Sequence, residues 1–465
     1  MSRPHSARRL FVLSLVAALP VLAAAPLGAQ ETPQAAPPVE IAAGPMVGHV
    51  WESGAKVWVQ VTGEAVLALD IRRAGTGEPW RTSRSGGIDG DGRELYRRVW
   101  ADTRFAATLS VDGLEPATAY EYRVRVDERP LAVPTATLLT TAAPPGTPED
   151  LRIAFGSCAG TWGEDPTQPI FRAVARQRPD LFLFLGDNVY YDRDRQEWAH
   201  PELMWARYEQ GRRVESLQPL IRRTPTYAIW DDHDYGPNDA DKIYAWKDLS
   251  LEIFRTFWAN ASYGSDGVPG VWHRFTRGRV DFFFLDGRFH RDPNDAPDDP
   301  HKSQWGPVQR EWLADALRDS RAAFKVIATG GQFLARYHDF ESHDLYRHER
   351  EWLLDLIRRH RIGGVLFLSG DRHLGEVLRW QPPEVPYPLY ELTSSPLAAG
   401  LWSGERDAPD PPERLPGSLV VEENFGLLEL TFPDDGDPRL TFQHHDVEGR
   451  PIGVRLELRA SELQP

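Results

Sequence analysis

The sequence predicts an α/β domain preceded by a smaller all-β unit. From residue 151 onward, short apolar runs alternate with amphipathic helical stretches, as in proteins whose parallel strands are joined by helices. Before residue 141, apolar residues instead follow the two-residue period of half-buried strands. A segment rich in proline, Ala142 to Pro148, lies between the two patterns and has the composition of a linker.

The first 29 residues are predicted to be a signal peptide rather than part of the fold. Arg8 and Arg9 precede an apolar run, Leu10 to Ala25, which is interrupted by Pro20 and followed by small residues up to Ala29. The run is too short and too broken for a membrane span of about 20 residues. The paired arginines are typical of a twin-arginine signal, with a Sec signal as the alternative. We therefore expect export by one of these machineries to the periplasm or the medium, and no membrane span in the mature chain.

The charge balance excludes one class of partner. The chain carries 53 Lys and Arg against 68 Asp and Glu, a net charge of -15. Without the first 29 residues, which contain three arginines and no acid, 50 basic residues face 68 acidic ones, a net charge of -18. Proteins that neutralise a nucleic-acid backbone are basic, so specific recognition of a nucleic-acid sequence is not expected. An anionic substrate would need a local cation, either a metal ion or clustered arginines.

Residues 30–39 are predicted to be a tether and residues 40–141 a β-sandwich. Four segments alternate apolar and polar residues: Lys56 to Val61, Val66 to Ile71, Ala107 to Val111 and Tyr120 to Val126. The segment from Leu114 to Tyr122 resembles the tyrosine corner of fibronectin type III and immunoglobulin-like sandwiches. This unit contains no grouping of catalytic residue types.

The α/β part, residues 150–465, contains five apolar runs that each lead into polar, ligand-capable residues. The runs begin at residues 151, 181, 227, 282 and 365, and they lead into Gly156-Ser157-Cys158, Gly186-Asp187-Asn188, Asp231-Asp232-His233-Asp234, Asp286-Gly287-Arg288 and Ser369-Gly370-Asp371-Arg372-His373. Open α/β sheets bind ligands at the carboxyl ends of their strands. We therefore expect the five endings to converge on one site.

Other segments are predicted to be structural. Residues 169–177, 309–317 and 349–359 have apolar residues at helical spacing with charges opposite. Beyond residue 382, four strand-like segments follow, at 390–393, 425–431, 440–444 and 452–458, and these suit a second sheet.

The residue types at the strand ends are those of a metal centre. Asp187 and Tyr190 can face one point from a tight turn, although Asp187 could instead cap a helix. Three carboxylates surround His233 in the Asp231–Asp234 motif and would repel one another without compensating charge. Asp371 and His373 repeat the combination two residues apart.

Cys158 is the only cysteine, so an internal disulfide is impossible and the thiol needs another role. Carboxylate, imidazole, phenolate and thiolate ligands together suit a mixed dinuclear site rather than zinc alone.

These motifs, taken in order, resemble the alkaline phosphatase D (PhoD-like) branch of the metallophosphoesterases. The resemblance covers residues 151 to about 430 and also includes Trp230, Asn238-Asp239 and Glu391-Leu392-Thr393-Ser394-Ser395-Pro396. It implies an α/β/β/α sandwich, with a PhoD-type β-sandwich at residues 40–141 and a catalytic domain at residues 150–465. It also implies hydrolysis of phosphate monoesters or diesters, or both, at a dinuclear or larger metal site.

The resemblance further implies a ligand set and its metals. Iron(III) would be bound by Cys158, Asp187, Tyr190 and His373, beside calcium, with other divalent metals as alternatives. Asp187 and Asp371 would help to hold the second cation. One further ligand is left open between Asp232 and Asn238.

Three kinds of role are assigned around the metals. His233 would protonate the leaving group or orient its neighbours, and Arg288 would make a catalytic, bidentate contact with phosphate. Asn188 and Arg372 are further substrate-binding candidates. Asn188 stands where relatives have a phosphate-binding arginine, and Gly287 stands where they usually have threonine.

Two other functions stay open at this point. The chain could be a non-catalytic exported protein that binds metal structurally. It could also be a thiol hydrolase built on Cys158, although no distinctive nucleophile motif surrounds that residue.

Overall fold

A computed structural model describes residues 37–83, 97–127, 129–131, 137–160, 167–191, 194–265, 267–338, 340–383, 385–405 and 409–465. The predicted signal peptide, residues 1–29, lies outside the described residues, as does the predicted tether up to residue 36. Within the described part of the chain, no helix combines the length and the apolar character needed to cross a bilayer.

The amino-terminal β unit consists of two antiparallel sheets. Its strands are β1 Ile41–Trp51, β2 Gly54–Val61, β3 Ala65–Arg73, β4 Arg81–Ser83, β5 Arg97–Val99, β6 Ala106–Asp112, β7 Ala119–Val126, β8 Arg129–Pro130 and β9 Leu138–Thr140. One sheet has the order β1-β2-β6; the other has the order β4-β3-β7-β8, with β5 beside β3 and β9 beside β7. All four segments with alternating residues lie within strands β2, β3, β6 and β7.

Strand β1 was not predicted from the sequence. It contains Gly44, Pro45 and Gly48, residue types that normally mark turns, and its pairing with β2 is interrupted by register shifts. The predicted tyrosine corner has a matching contact, because the Tyr120 hydroxyl accepts a hydrogen bond from the backbone N–H of Glu115 at 2.9 Å. The fibronectin or immunoglobulin type of this unit stays a prediction.

The α/β part contains two six-stranded sheets. Its strands are β10 Leu151–Gly156, β11 Leu181–Leu185, β12 Thr226–Ile229, β13 His273–Arg277, β14 Val280–Phe284, β15 Phe324–Ala328, β16 Val365–Ser369, β17 Glu376–Trp380, β18 Leu389–Thr393, β19 Phe425–Thr431, β20 Arg439–His445 and β21 Pro451–Arg459. The orders are β12-β11-β10-β19-β20-β21 and β13-β14-β15-β16-β18-β17. Strands β10 to β12 run parallel in the first sheet, as do β14, β15, β16 and β18 in the second.

The assignment of the carboxyl-terminal strands to a second sheet is wrong for three of the four segments. Strands β19 to β21 complete the first sheet, because β19 pairs antiparallel with β10 from Leu151 opposite Leu430 to Phe155 opposite Gly426. Only β18 belongs to the second sheet. An alternating pattern identifies a strand but carries no information about which edge it joins.

Seven α-helices surround the sheets in the described part of the chain. They are α1 Ile170–Arg176, α2 Pro201–Arg212, α3 Gln218–Ile221, α4 Asp232–Tyr235, α5 Lys247–Phe257, α6 Gly306–Asp319 and α7 Arg347–Arg359. The predicted helices correspond to α1, α6 and α7. Apolar side chains of both sheets and of the helices form one continuous core.

The β unit is anchored to helix α5 and the segment that follows it. The fully buried Trp58 of β2 donates its indole N–H to the carbonyl of Thr256 at 2.7 Å, and its ring lies 5.8 Å from that of Phe257. Lys56 Nζ donates to the carbonyl of Asn260 at 2.8 Å. Residues 39–465 accordingly form one compact unit. The boundary between residues 40–141 and 150–465 stays a prediction.

We expect Trp58→Ala to lower the free energy of unfolding by about 3–5 kcal/mol, because it leaves a cavity and an unpaired carbonyl at this junction. Urea denaturation followed by circular dichroism measures the change. Trp100→Ala is the matched control, since Trp100 is 41% exposed and its removal should change stability by no more than about 0.5 kcal/mol. Equal losses in the two variants would contradict the anchoring role of Trp58.

Candidate metal centre

The carboxyl ends of strands from both sheets meet at one place. Cys158 follows β10 by two residues, Asp187 follows β11 by two, Asp232 follows β12 by three, and Asp371 follows β16 by two. The two sheets are joined directly here, because the backbone N–H of Asp371 donates to the hydroxyl of Ser157 at 3.2 Å. Four of the five predicted strand endings therefore supply side chains to one site.

The four predicted iron ligands lie together and form the first donor group. The ligand atoms of Cys158, Asp187 and His373 lie within 4.8 Å of one another. The Tyr190 hydroxyl is 3.0 Å from Asp187 Oδ2 and 3.0 Å from His373 Nε2. The sulfur of Cys158 is 3.6 Å from the same carboxylate oxygen. Thiol, carboxylate, phenol and imidazole thus surround one point.

Asp187 also belongs to a second donor group. Its ligand atoms lie within 4.8 Å of those of Asp232 and His233, and its Oδ1 accepts the backbone N–H of His233 at 3.2 Å. Asp232 Oδ1 is buried and has no hydrogen-bond partner among the described residues. A buried carboxylate oxygen without a donor costs free energy unless a cation occupies its lone pair. One carboxylate, Asp187, therefore joins two groups of donors.

Four candidate ligands have left-handed backbone conformations. The φ angles are 56° at Cys158, 51° at Asp187, 67° at Asp371 and 54° at His373. For residues with a Cβ this conformation costs about 1–2 kcal/mol each, and such strain is concentrated at functional sites. Here it turns each side chain back toward the same point directly after a strand.

Glycines make room for the ligands. A Cβ atom at Gly160 would lie 1.7 Å from Cδ2 of Tyr190, so only glycine allows the phenol its position. Gly186 has a φ of +95°, and a Cβ atom there would lie 2.6 Å from the Cβ of Asp231. Gly160 thus leaves room for the ring of Tyr190, and Gly186 allows the turn that carries Asp187.

Ser395 links two candidate ligands that are far apart in the sequence. Its hydroxyl donates to the sulfur of Cys158 at 3.2 Å and accepts the backbone N–H of His373 at 2.9 Å. Ser157 adds a second hydroxyl 3.3 Å from the same sulfur. These contacts orient the thiol and the loop of His373.

Burial opposes ionisation of the donor groups. It raises the pKa of Cys158 to about 12, and it holds the pKa of Asp187 well above its ordinary value, with further repulsion from Cys158 and Asp232. Burial and then Asp187 raise the pKa of Tyr190. Burial, with the charge of Asp232, raises the pKa of Asp371 to about 6. Because ligands bind metals in their ionised forms, a cation supplies the charge that these groups require.

A cavity of about 760 Å³ opens onto the second donor group. Six carboxylates line it and one guanidinium, that of Arg372, faces them: Asp187, Asp232, Asp239, Asp295, Glu341 and Asp371. His233 and His373 also line the cavity. Such a surface repels a phosphate ester unless bound cations reverse the local charge.

Arg288 does not lie where the sequence analysis expected it. Its side chain is 1% exposed and does not line the cavity. It donates to Asp231 Oδ1 through Nε at 2.6 Å and to Glu341 through both terminal nitrogens. The guanidinium of Arg288 is held by these two carboxylates and by the carbonyl of Ala240, an arrangement that does not support the predicted catalytic and phosphate contacts, which stay predictions.

Asn188 is also buried beneath the site rather than exposed in it. Its amide nitrogen donates to the carbonyl of Ile229 at 2.8 Å and to Asp234 Oδ2, and its side chain does not line the cavity. This position does not support the predicted contact with substrate, which stays a prediction. Asp234, one of the three carboxylates of the Asp231–Asp234 motif, accepts hydrogen bonds from Asn188 and from the backbone N–H of Asp231. These internal contacts occupy its carboxylate.

The remaining predicted site residues line the cavity. Asn238 is exposed there, and Arg372 is buried with its Nε lacking a partner among the described residues. Both alternatives for the open ligand position, Asp232 and Asn238, face the cavity. Asp232 lies in a donor group with Asp187 and His233, and the choice between Asp232 and Asn238 stays open.

Glu341 was not identified from the sequence. Its ligand atom lies within 4.8 Å of those of Asp232 and Asp239. Burial opposes its ionisation, but the guanidiniums of Arg288 and Arg291 overcome this and hold its pKa below the ordinary value. Glu341 lies in a loop far from any recognisable motif, so no local pattern could have revealed it.

A family model described as PhoD-like phosphatase matches residues 153–431, more than half of the chain. The chain belongs to the PhoD-like phosphatase family. A second model, a domain of unknown function named DUF7800, matches residues 39–142. Alkaline phosphatase D of Bacillus subtilis (strain 168) is 25% identical over 311 residues, which are 57% of this chain and 52% of that protein. The chain thus aligns with about half of the length of this curated relative.

Two solved structures share the fold. The structure of PhoD superimposes with a TM-score of 0.72 at 17% identity and covers 88% of each chain. A purple acid phosphatase, PPD1 from yellow lupin (Lupinus luteus) seeds, has a TM-score of 0.61 at 12% identity and covers 89% of this chain and 74% of its own. The PhoD-like chain therefore has the mixed α/β fold of these metallophosphoesterase structures.

We expect Arg288→Met to lower the free energy of unfolding by about 3–5 kcal/mol, because it leaves the carboxylate of Asp231 buried without its cation and removes one of the two guanidiniums that contact Glu341. Denaturant titration measures this loss. Arg318→Met, which breaks an exposed pair with Asp315, is the control and should change stability by about 0.5 kcal/mol or less. Native stability in Arg288→Met would show that the guanidinium is not needed inside and would restore the direct phosphate contact as an explanation.

Proposed function

We propose that this protein is a metal-dependent phosphoesterase that hydrolyses phosphate monoesters, diesters or both. The observation that carries this proposal is the position of Asp187, whose carboxylate lines the cavity and is shared by two donor groups. Paired cations joined by one carboxylate are the arrangement that phosphoryl-transfer sites use. Membership of the PhoD-like phosphatase family supports the same reaction class.

The donor chemistry supports iron(III) at the first group and calcium at the second. Cys158, Asp187, Tyr190 and His373 combine thiolate, carboxylate, phenolate and imidazole, which suit a transition metal. Asp232, Asp371 and Asn238 offer oxygen atoms, which suit calcium or another hard divalent cation. When bound, such cations supply the Lewis-acid charge that neutralises phosphate oxygens.

The chain's own residues would bind the ester and move protons. Arg372 lines the cavity with an unpartnered Nε and is the guanidinium that can hold a phosphate oxygen. His233 is half-buried, lines the same cavity and can protonate the oxygen of the leaving group. Asn238 is exposed at the mouth and can donate its amide to the ester.

The geometry disfavours a thiol hydrolase. Cys158 is fully buried and does not line the cavity, so its sulfur cannot attack a bound ester without rearrangement. A non-catalytic metal protein remains the rival, and metal binding without turnover would identify it.

We expect the purified protein to contain iron and calcium, measured by elemental analysis, and to hydrolyse p-nitrophenyl phosphate, its bis ester, or both. Asp187→Asn should lose both metals, because its carboxylate serves both groups, whereas Cys158→Ser should lose mainly iron. Each should reduce kcat/KM by a factor on the order of 100 or more. Exhaustive chelation should abolish turnover, and added metal should restore it.

Asp281→Asn is the control for the loss of one carboxylate. Asp281 accepts hydrogen bonds from Thr276 and Ser320 and does not line the cavity. Its replacement should leave metal content and turnover unchanged. Turnover that survives complete chelation would exclude the proposed mechanism, and stable metal content without hydrolysis of any phosphate ester would favour the non-catalytic rival.

We further propose that the protein is exported and that residues 40–141 form a fibronectin- or immunoglobulin-like support for the catalytic domain at 150–465. Arg8, Arg9 and the apolar run after them support export. Replacing both arginines by lysine should retain the protein in the cytoplasm if the twin-arginine route is used, as measured by cell fractionation. Normal export of that variant would indicate the Sec route, and cytoplasmic retention of the unaltered protein would contradict export.

A further inference from the structure

Exposed large apolar side chains are concentrated at the mouth of the candidate active site. Six such residues occur in the described part of the chain, and three of them line the cavity: Phe340, Leu401 and Trp402. Their exposed fractions are 50%, 47% and 41%. Grouped apolar exposure marks a binding surface more often than scattered exposure does.

Two of these residues form an aromatic pair with defined geometry. The ring centroids of Phe340 and Trp402 are 5.4 Å apart and their planes are 70° apart, an edge-to-face arrangement. The guanidinium carbon of Arg372 lies 4.9 Å from the centre of the Phe340 ring. The aromatic pair therefore adjoins the cation that can hold a phosphate oxygen.

The pair is held at a fixed position beside the metal ligands. The backbone N–H of Trp402 donates to the carbonyl of His373 at 3.0 Å. Three residues later, Glu405 accepts from Arg372 at 2.6 Å and from Arg414, which in turn donates to Glu376 of strand β17. The backbone that carries the indole is therefore fixed, so fewer degrees of freedom are lost when a ligand contacts the ring.

The cavity is larger than a phosphate group requires. Its volume of about 760 Å³ lies within the range of sites for whole organic ligands, about 300–1,000 Å³. Its charged floor, which includes Arg372, suits cations and phosphate, whereas its rim offers ring surfaces. Planar aromatic groups are the ligands that contact such surfaces most favourably.

We propose that the substrate is a phosphate ester carrying a planar aromatic group, which stacks on Trp402 and contacts Phe340 while Arg372 holds the phosphate. This inference rests on the proposed phosphoesterase function and specifies its substrate class. The ring belongs to an aryl alcohol or to a nucleoside, and both share the chemistry that the rim recognises.

Binding of phosphonates to the metal-loaded full-length protein tests the ring preference without turnover. Calorimetry with phenylphosphonate, cyclohexylphosphonate and methylphosphonate compares an aromatic ring, a saturated ring of similar size and a small group. We expect phenylphosphonate to bind about tenfold more tightly than methylphosphonate. Cyclohexylphosphonate should bind no better than about threefold over methylphosphonate, and equal affinity for the two rings would overturn the aromatic preference.

Variants assign the preference to Trp402. Trp402→Leu keeps an apolar side chain and should abolish the advantage of phenylphosphonate, whereas Trp402→Phe should retain most of it. Trp246→Ala is the matched control, because Trp246 is also 41% exposed but does not line the cavity. An unchanged preference in Trp402→Leu would overturn the proposal.

Turnover measurements distinguish an aryl alcohol from a nucleoside as the source of the ring. They also separate the ring preference from the phosphoesterase function. Methyl, benzyl and thymidine 5′ diesters that share trifluoroethanol as a leaving group without a ring should differ in kcat/KM, measured by chromatography of the products. The ring-bearing esters should be favoured, and the larger effect names the source. Equal kcat/KM for all three would overturn the ring preference while leaving the phosphoesterase function intact. Failure to bind inorganic phosphate and to hydrolyse any ester would refute both.

Discussion

The carboxylate of Asp187 is the contact on which the rest of the candidate centre depends. One oxygen faces Cys158 and Tyr190, and the other accepts the N–H of His233. Because a single carboxylate touches both donor groups, the ends of the parallel strands β10, β11 and β12 must keep one fixed relation. Strand β16 brings His373 from the second sheet to the same carboxylate. A sandwich of two sheets whose parallel strands end together is the fold that meets this requirement.

Some of the buried carboxylates are paired with arginines inside the protein, and others are not. Arg288 and Arg291 neutralise Asp231 and Glu341 inside the protein, because Arg288 pairs with both carboxylates and Arg291 pairs with Glu341 through directed hydrogen bonds. Among the described residues, Asp187 and Asp232 form no ion pair with an arginine, and the unpartnered oxygen of Asp232 faces the cavity region. The internal arginines therefore decide which carboxylates are left for cations. Attraction of an anionic ester then depends on those cations and on Arg372, which lines the cavity.

The sequence was sufficient for features that local pattern determines. Apolar runs followed by polar residues located the strands, and the family motifs grouped Cys158, Asp187 and His373, whose donor atoms the structure places within 4.8 Å of one another. Contacts between side chains far apart in the sequence could not be predicted. The direction of Arg288 depends on Glu341, 53 positions away, and that of Asn188 on Asp234, 46 positions away. Strands β19 to β21 were correctly predicted to be strands. The sheet that they join depends on which strands they pair with, and no single segment encodes that pairing.

A phosphate ester has a charged phosphate and an organic group, and different parts of the cavity suit each. Cations and Arg372 at the floor would bind the phosphate, and the aromatic rim would bind the organic group. Removing water from the exposed faces of Trp402 and Phe340 is favourable by roughly 25 cal/mol per Å² of apolar area. The same displacement of water lowers the dielectric around Arg372, so its attraction for a phosphate oxygen grows. Contact at the rim and charge recognition at the floor thus reinforce each other, and an ester without a ring gains only the second.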